Sequence, residues 1–235
     1  MKVLMVLTSH GEMGISGEKT GFWLEEFVAP YYVLQDAGVE ITLSSPKGGQ
    51  PPIDPRSEAD NAKTSYTQRF FNDTSLKLKL SQTHELKEMV AEFYDGLFYP
   101  GGHGPLWDLS ADVHSISIIQ AFNDQGKPIA FVCHSPAALL NVETPSGDPL
   151  LKDRKVTGFS NTEEGGVKLT SIVPFLLEDA LIKKGAHYSK TTNWEEYVIK
   201  DGNLITGQNP ASSAKAAKVL LETIYENKVH SVPYI

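Results

Sequence analysis

Cys133 is the single cysteine in 235 residues, and it stands between the apolar run Ile129, Ala130, Phe131, Val132 and the residues His134, Ser135, Pro136 that open a second apolar stretch, Ala137 to Leu140. That order predicts a strand, a sharp turn and a helix, with Pro136 suited to the first helical turn. A thiol so placed lies at the carboxyl end of a strand beside a helix N-terminus, whose exposed N–H groups favour a thiolate. The pattern is that of a nucleophile elbow. A thiol after an apolar run is also a common packing residue, and the flanking turn is what tilts the reading toward chemistry. One cysteine allows no internal disulfide, in keeping with a reducing, cytoplasmic setting.

Gly101, Gly102, His103 and Gly104 follow the apolar run at residues 96–99. Glycines so closely spaced let backbone N–H groups approach a ligand, as in an oxyanion hole, although a tight turn uses the same residues. Glu26 interrupts the apolar stripe of Phe22, Ala29 and Val33, which places a carboxyl on the buried face of a helix, where it must be paired or protonated. Pro30 cannot donate to the Glu26 carbonyl, so a local distortion is expected there. Glu25 reads as a solvated surface charge. No two histidines stand at the i, i+4 spacing of a zinc helix, so no metal is expected.

The elements that must hold these residues follow an α/β rhythm. Residues 3–7, 39–43, 96–99 and 128–132 read as buried strands of a parallel sheet, residues 21–37 and 112–123 as helices, and Gly38 and Gly126 as helix stops. Residues 197–200 and 204–206 form a hairpin pattern around Asp201, Gly202 and Asn203, and residues 212–225 a final amphipathic helix. The stretch 46–80 breaks the rhythm and reads as an inserted loop and small helical cap within one domain spanning 1–235. The two glycine and cysteine loops both fall at strand carboxyl ends, where ligands bind in open α/β sheets.

Composition narrows the function classes. With 21 Lys+Arg against 29 Asp+Glu the net charge is −8, which argues against nucleic acid as a partner. Apolar runs are far shorter than the roughly 20 residues of a membrane span, and the N-terminal run is too short for a signal peptide.

Taken together, the early glutamate on a helix entered through Thr20 and Gly21, the loop Pro100 to Gly104 and the elbow Val132 to Ala137 resemble the ThiJ/PfpI superfamily. More narrowly they are similar to its glyoxalase III and heat-inducible chaperone branch. The likeness continues through Ser45 to Gly49, through Thr157, Gly158, Phe159 with Glu163 and Glu164, and through Thr206 to Ser212.

The resemblance implies a flavodoxin-like three-layer sandwich with a mainly parallel central sheet, a homodimer, and a cysteine site that needs no cofactor. Carried over by motif, the nucleophile is Cys133, its partner His134, the protonated glutamate Glu26 and the third acid Glu164, with Glu163 beside it as the competing choice. Gly102 and the His134 backbone would form the oxyanion hole, and Gly101 and His103 would border the substrate. Phe22, Trp23, Trp107 and Trp194 are further pocket candidates. The related class I glutamine amidotransferases flank their cysteine with glycines and supply a downstream histidine followed two residues later by an acid. Here Phe131 and Ser135 occupy the flanks and His187 is followed by Tyr188 and Ser189, which speaks against glutaminase chemistry.

The expected activity is conversion of a small reactive aldehyde, methylglyoxal, to lactate without glutathione. The competing readings are a stress-responsive chaperone or redox sensor with an oxidisable Cys133, and a protein deglycase.

Overall fold

In a computed structural model, which describes residues 1–230, the chain opens with strand β1 (Lys2–Val6), helix α1 (Leu24–Asp36) and strand β2 (Glu40–Ser45). Two short helices, α2 (Ser65–Phe71) and α3 (Thr74–Leu80), precede the edge strand β3 (His84–Glu85). The central βαβ unit is β4 (Gly96–Tyr99), α4 (Val113–Asp124) and β5 (Ile129–Val132). There follow β6 (Lys155–Val156), α5 (Asn161–Gly166), α6 (Leu177–Lys183), β7 (His187–Tyr188), the hairpin β8 (Val198–Asp201) and β9 (Leu204–Gly207), and α7 (Ser213–His230).

Seven strands form one sheet in the order β3-β2-β1-β4-β5-β9-β8, parallel except for the β8–β9 pair, while β6 and β7 form a separate parallel pair. Period-two alternation along the strands explains the three layers. Leu4, Val6, Leu97, Tyr99, Ile129 and Phe131 point to one side, where Ile118, Ile119 and Phe122 of α4 cover them. Val3, Met5, Phe98, Ala130 and Val132 point to the other, against Phe27 and Val28 of α1 and Leu220 and Ile224 of α7. Strands covered on both faces need no polar alternation, which is why they read as continuous apolar runs.

Helix α1 begins at Leu24 rather than at residue 21, because Gly21 and Phe22 are engaged in extended pairing: the Phe22 amide donates to the Pro52 carbonyl at 3.0 Å. The helix continues through Pro30, whose missing N–H costs only the bond to the Glu26 carbonyl. Gly38 at φ 77° ends it, with the Gly38 and Val39 amides returning to Gln35 and Leu34. After His134 the chain makes a short 3-10 turn over Ser135–Leu139, with Pro136 in its first turn, where an α-helix was expected. Glu25 is not a solvated charge; it is half-buried and accepts the Thr64 hydroxyl at the start of α2, and burial pushes its carboxyl up to about 6 against that bond.

Within residues 46–80, helices α2 and α3 lie beside α1, and the preceding stretch passes over the carboxyl ends of the central strands through Arg56, Ala59, Asn61 and Ala62. None of the helices among the described residues is long and apolar enough to cross a membrane.

Candidate active site

Cys133 follows β5 directly and has φ 58°, a left-handed conformation that a side chain rarely adopts. Backbone bonds on both sides impose it: the Cys133 amide donates to the Gly207 carbonyl and its carbonyl accepts the Phe159 amide, each at 2.9 Å. Ser135 braces the turn from inside, accepting the Val132 amide at 2.8 Å while its hydroxyl is directed to the Tyr99 carbonyl at 2.7 Å. The strained turn lifts the thiol off the strand end as a nucleophile elbow requires.

The thiol meets an imidazole. His134 Nδ1 lies 3.2 Å from Cys133 Sγ, and His134 Nε2 lies 2.7 Å from Glu164 Oε2. Burial alone would raise the Glu164 carboxyl, but the His134 and His103 imidazoles facing it outweigh burial and hold it well below the usual carboxylate range. An ionised carboxylate only accepts, so His134 carries its proton on Nε2 and presents the Nδ1 lone pair to the thiol. The tautomer is thus set for proton uptake from sulfur.

Glu163 is directed elsewhere. It completes a capping box with Ser160 at the start of α5 and also accepts the Trp194 amide and the Asn209 side-chain amide, both at 2.9 Å. Successive residues of a helix point about 100° apart, so one of the adjacent acids braces the loops while the other reaches His134.

Glu26 approaches from α1. Its Oε2 accepts the Gly101 amide at 2.9 Å, its Oε1 has no hydrogen-bond partner among the described residues, and the carboxyl lies against the thiol. Burial pushes the carboxyl up to about 8, although the thiol and the Gly101 and Gly102 amides pull the other way, so it is protonated at neutral pH. Burial also pushes the Cys133 thiol up, and a charge on Glu26 would push it further. A neutral Glu26 removes that second cost. Gly101 must be glycine, because a Cβ there would meet Glu26 Oε2 at 2.4 Å and the Val132 carbonyl at 2.5 Å. Gly102, at φ 88°, has its amide turned toward Cys133, and neither that amide nor the His134 amide donates to a backbone carbonyl among the described residues.

These groups floor a cavity of about 500 Å³ walled by Trp23, Ala62, Phe159, Val167, Trp194 and Pro210, with Arg56 and His103 as its polar side. Of the aromatic candidates, Trp23 and Trp194 line it. Phe22 is instead buried in the core and Trp107 stacks on His10 at 5.1 Å, so neither borders the cavity. Trp194 has φ 68° and packs edge-on against Phe159 at 5.6 Å.

The donor atoms of His103, His134 and Glu164 lie within 4.8 Å of one another. Both imidazole Nε2 atoms are engaged on Glu164, and the Arg56 guanidinium stands 3.3 Å behind His103 Nδ1. A divalent cation would have to displace both bonds beside a fixed positive charge, so the set suits proton handling. Arg56 and its partner Asp54 went unnoticed in the sequence; Asp54 before Pro55 is a helix-start signature inside a stretch that otherwise reads as loop.

A family model described as the DJ-1/PfpI family matches residues 19–223. The chain belongs to the DJ-1/PfpI family. Among similar proteins, "Glyoxalase 3" of Candida albicans is 30% identical over 226 residues, covering 93% of this chain and 96% of the relative. "Glutathione-independent glyoxalase HSP31" of Saccharomyces cerevisiae is 31% identical over 225 residues, covering 92% and 94%. Among solved structures of similar fold, Rapid Encystment Protein 24 KDa of Francisella tularensis matches with TM-score 0.91 at 40% identity, covering 95% of this chain and 98% of that one. Glyoxalase III of Candida albicans matches with TM-score 0.88 at 29% identity, covering 95% and 97%. The DJ-1/PfpI fold agrees with the mainly parallel three-layer sheet described above.

Proposed function

We propose that the protein is a glutathione-independent glyoxalase that converts methylglyoxal to lactate through a hemithioacetal on Cys133. The observation that carries this reading is the convergence on one thiol of a base, His134 Nδ1 at 3.2 Å, and a protonated carboxyl, Glu26, at the floor of a largely apolar cavity. The relatives named as glyoxalases support it over most of the chain.

Cys133 loses its proton to His134 Nδ1 as sulfur attacks the aldehyde carbon, and the resulting oxyanion is met by the Gly102 and His134 amides. Glu164 holds the imidazolium in place. Removal of the hydrogen from the former aldehyde carbon gives an enediol, and its return to the neighbouring carbon leaves a lactoyl thioester on Cys133. Glu26 and His134 are the groups placed to move those protons. Water then cleaves the thioester, releasing lactate and restoring the thiol. Every atom of the product comes from methylglyoxal and one water, so the reaction consumes neither reductant nor glutathione.

In this reading residues 46–80 form a cap that admits small aldehydes and screens the thioester from other nucleophiles. Homodimer formation and cytoplasmic residence belong to the same proposal on the family likeness, and a single-chain mass in sedimentation would oppose the dimer. Purified protein is expected to form lactate from methylglyoxal without glutathione, and loss of that activity in Cys133→Ser tests the nucleophile.

A further inference from the structure

His103 takes no part in the steps above, yet it is buried, 4% exposed, and held through both ring nitrogens. Its Nε2 lies 2.9 Å from Glu164 Oε1, and its Nδ1 lies 3.3 Å from Arg56 Nη2. A guanidinium only donates, so Nδ1 must offer a lone pair, and the ring proton sits on Nε2, facing the carboxylate. Arg56 is itself fixed: its Nε donates to Asp54 Oδ1 at 3.0 Å and its Nη2 to Asp54 Oδ2 at 2.5 Å. Asp54, buried, also accepts the Thr20 hydroxyl at 2.9 Å and the Arg56 amide at 2.9 Å. A continuous chain therefore runs from Asp54 through Arg56, His103, Glu164 and His134 to Cys133.

We propose that Arg56 and His103 form a tautomer lock: Arg56 holds His103 as the Nε2–H imidazole, and that N–H fixes Glu164 as an ionised acceptor aimed at His134. His103 is a positioning residue, acting on the thiol through Glu164 and His134. Each oxygen of Glu164 receives one imidazole N–H, so the carboxylate plane cannot turn when His134 becomes an imidazolium. The second donor also makes Glu164 less basic, and the proton taken from sulfur stays on His134, where the next step needs it. In the other tautomer an N–H would face the guanidinium and a lone pair would face the carboxylate, two repulsive contacts in a buried site. Burial, the adjacent His134 ring and Arg56 together hold His103 down to about 4 against the pull of Glu164, which keeps the ring neutral.

The role in turnover rests on the glyoxalase reading; the tautomer does not. The test joins ring-nitrogen NMR of resting, ¹⁵N-histidine-labelled protein with methylglyoxal kinetics, the His103 signals being assigned by their loss in His103→Leu. Parent protein is expected to show a protonated Nε2 and a bare Nδ1 at His103, and Arg56→Met a mixture of the two tautomers. His103→Leu is expected to lower kcat about 10- to 100-fold at nearly unchanged KM, in line with the cost of small misplacements in a catalytic array. His103→Gln, whose amide can donate to Glu164 from near the Nε2 position, is expected to recover most of that loss. A proton on Nδ1 in the parent would overturn the lock, as would Gln no better than Leu, or a rise in KM with kcat unchanged. If Arg56→Met does not fold, the parent spectrum and the Leu and Gln pair decide. A parent that forms no lactate would overturn the glyoxalase reading alone, and the ring-nitrogen spectrum would still decide the lock.

Discussion

Glu26 Oε2 accepts the Gly101 amide at 2.9 Å across 75 positions of sequence, which ties the first helix to the glycine loop and leaves Oε1 to carry the proton of a carboxyl pressed against Cys133. Glu26→Gln keeps a neutral side chain of the same shape, able to accept from Gly101 and donate to sulfur, but unable to exchange a proton. Turnover of methylglyoxal is therefore expected to fall by about 10²- to 10⁴-fold, the usual range for losing a general acid or base. Far-UV circular dichroism should be unchanged. Full activity in this variant would reduce Glu26 to a hydrogen-bond donor.

The same carboxyl makes stability depend on pH. Folding raises Glu26 from 4.5 to about 8, so between those values the folded protein holds a proton that the unfolded chain has lost. Stability attributable to this group is complete below pH 4.5 and falls as pH rises toward 8, by about 5 kcal/mol at most when each pH unit carries 1.36 kcal/mol. Urea unfolding of parent and Glu26→Gln across pH 5 to 8 should show the variant gaining on the parent as pH rises. Parallel curves would contradict burial of a neutral Glu26.

Ser135 holds the elbow shut from within. Its replacement by Ala leaves the Val132 amide and the Tyr99 carbonyl facing a fully buried methyl group. An unsatisfied buried group costs about 1–3 kcal/mol. A loss of about 2 kcal/mol in urea unfolding is expected, with a larger proportional loss of kcat than of KM because the thiol moves relative to His134.

Trp194 offers a test of backbone strain. At φ 68° a side chain is disfavoured by roughly 1–2 kcal/mol, and glycine is not. Trp194→Gly is therefore expected to be more stable than Trp194→Ala by about 1 kcal/mol, the reverse of the order at an ordinary loop position. Both variants should raise the KM for methylglyoxal, because each removes a wall of the cavity.

The reach of the sequence can be judged at particular residues. The strands at Gly96–Tyr99 and Ile129–Val132 and the elbow after them were legible because burial on both faces leaves an uninterrupted apolar run, and because a single thiol before a proline turn is conspicuous. Glu26 was legible as a carboxyl on an apolar stripe. Glu25 was misread, since it accepts a hydrogen bond from Thr64 at the N-cap of α2, a contact 39 residues away that no local pattern encodes. Phe22 and Trp107 looked like pocket residues for the same reason: an aromatic side chain packs into core or cavity according to tertiary direction, not spacing. Arg56 was invisible because His103, 47 residues away, becomes its neighbour only in the folded chain, and the local bond to Asp54 alone reads as a helix start.

The measurement closest to the central claim is lactate formation from methylglyoxal in the absence of glutathione, comparing the parent with Cys133→Ser and Glu26→Gln at matched circular dichroism. Lactate from the parent, none above background from Cys133→Ser and a trace from Glu26→Gln is the expected result. Undiminished lactate from Cys133→Ser, or none from a folded parent with a titratable thiol, would contradict a glyoxalase built on this cysteine.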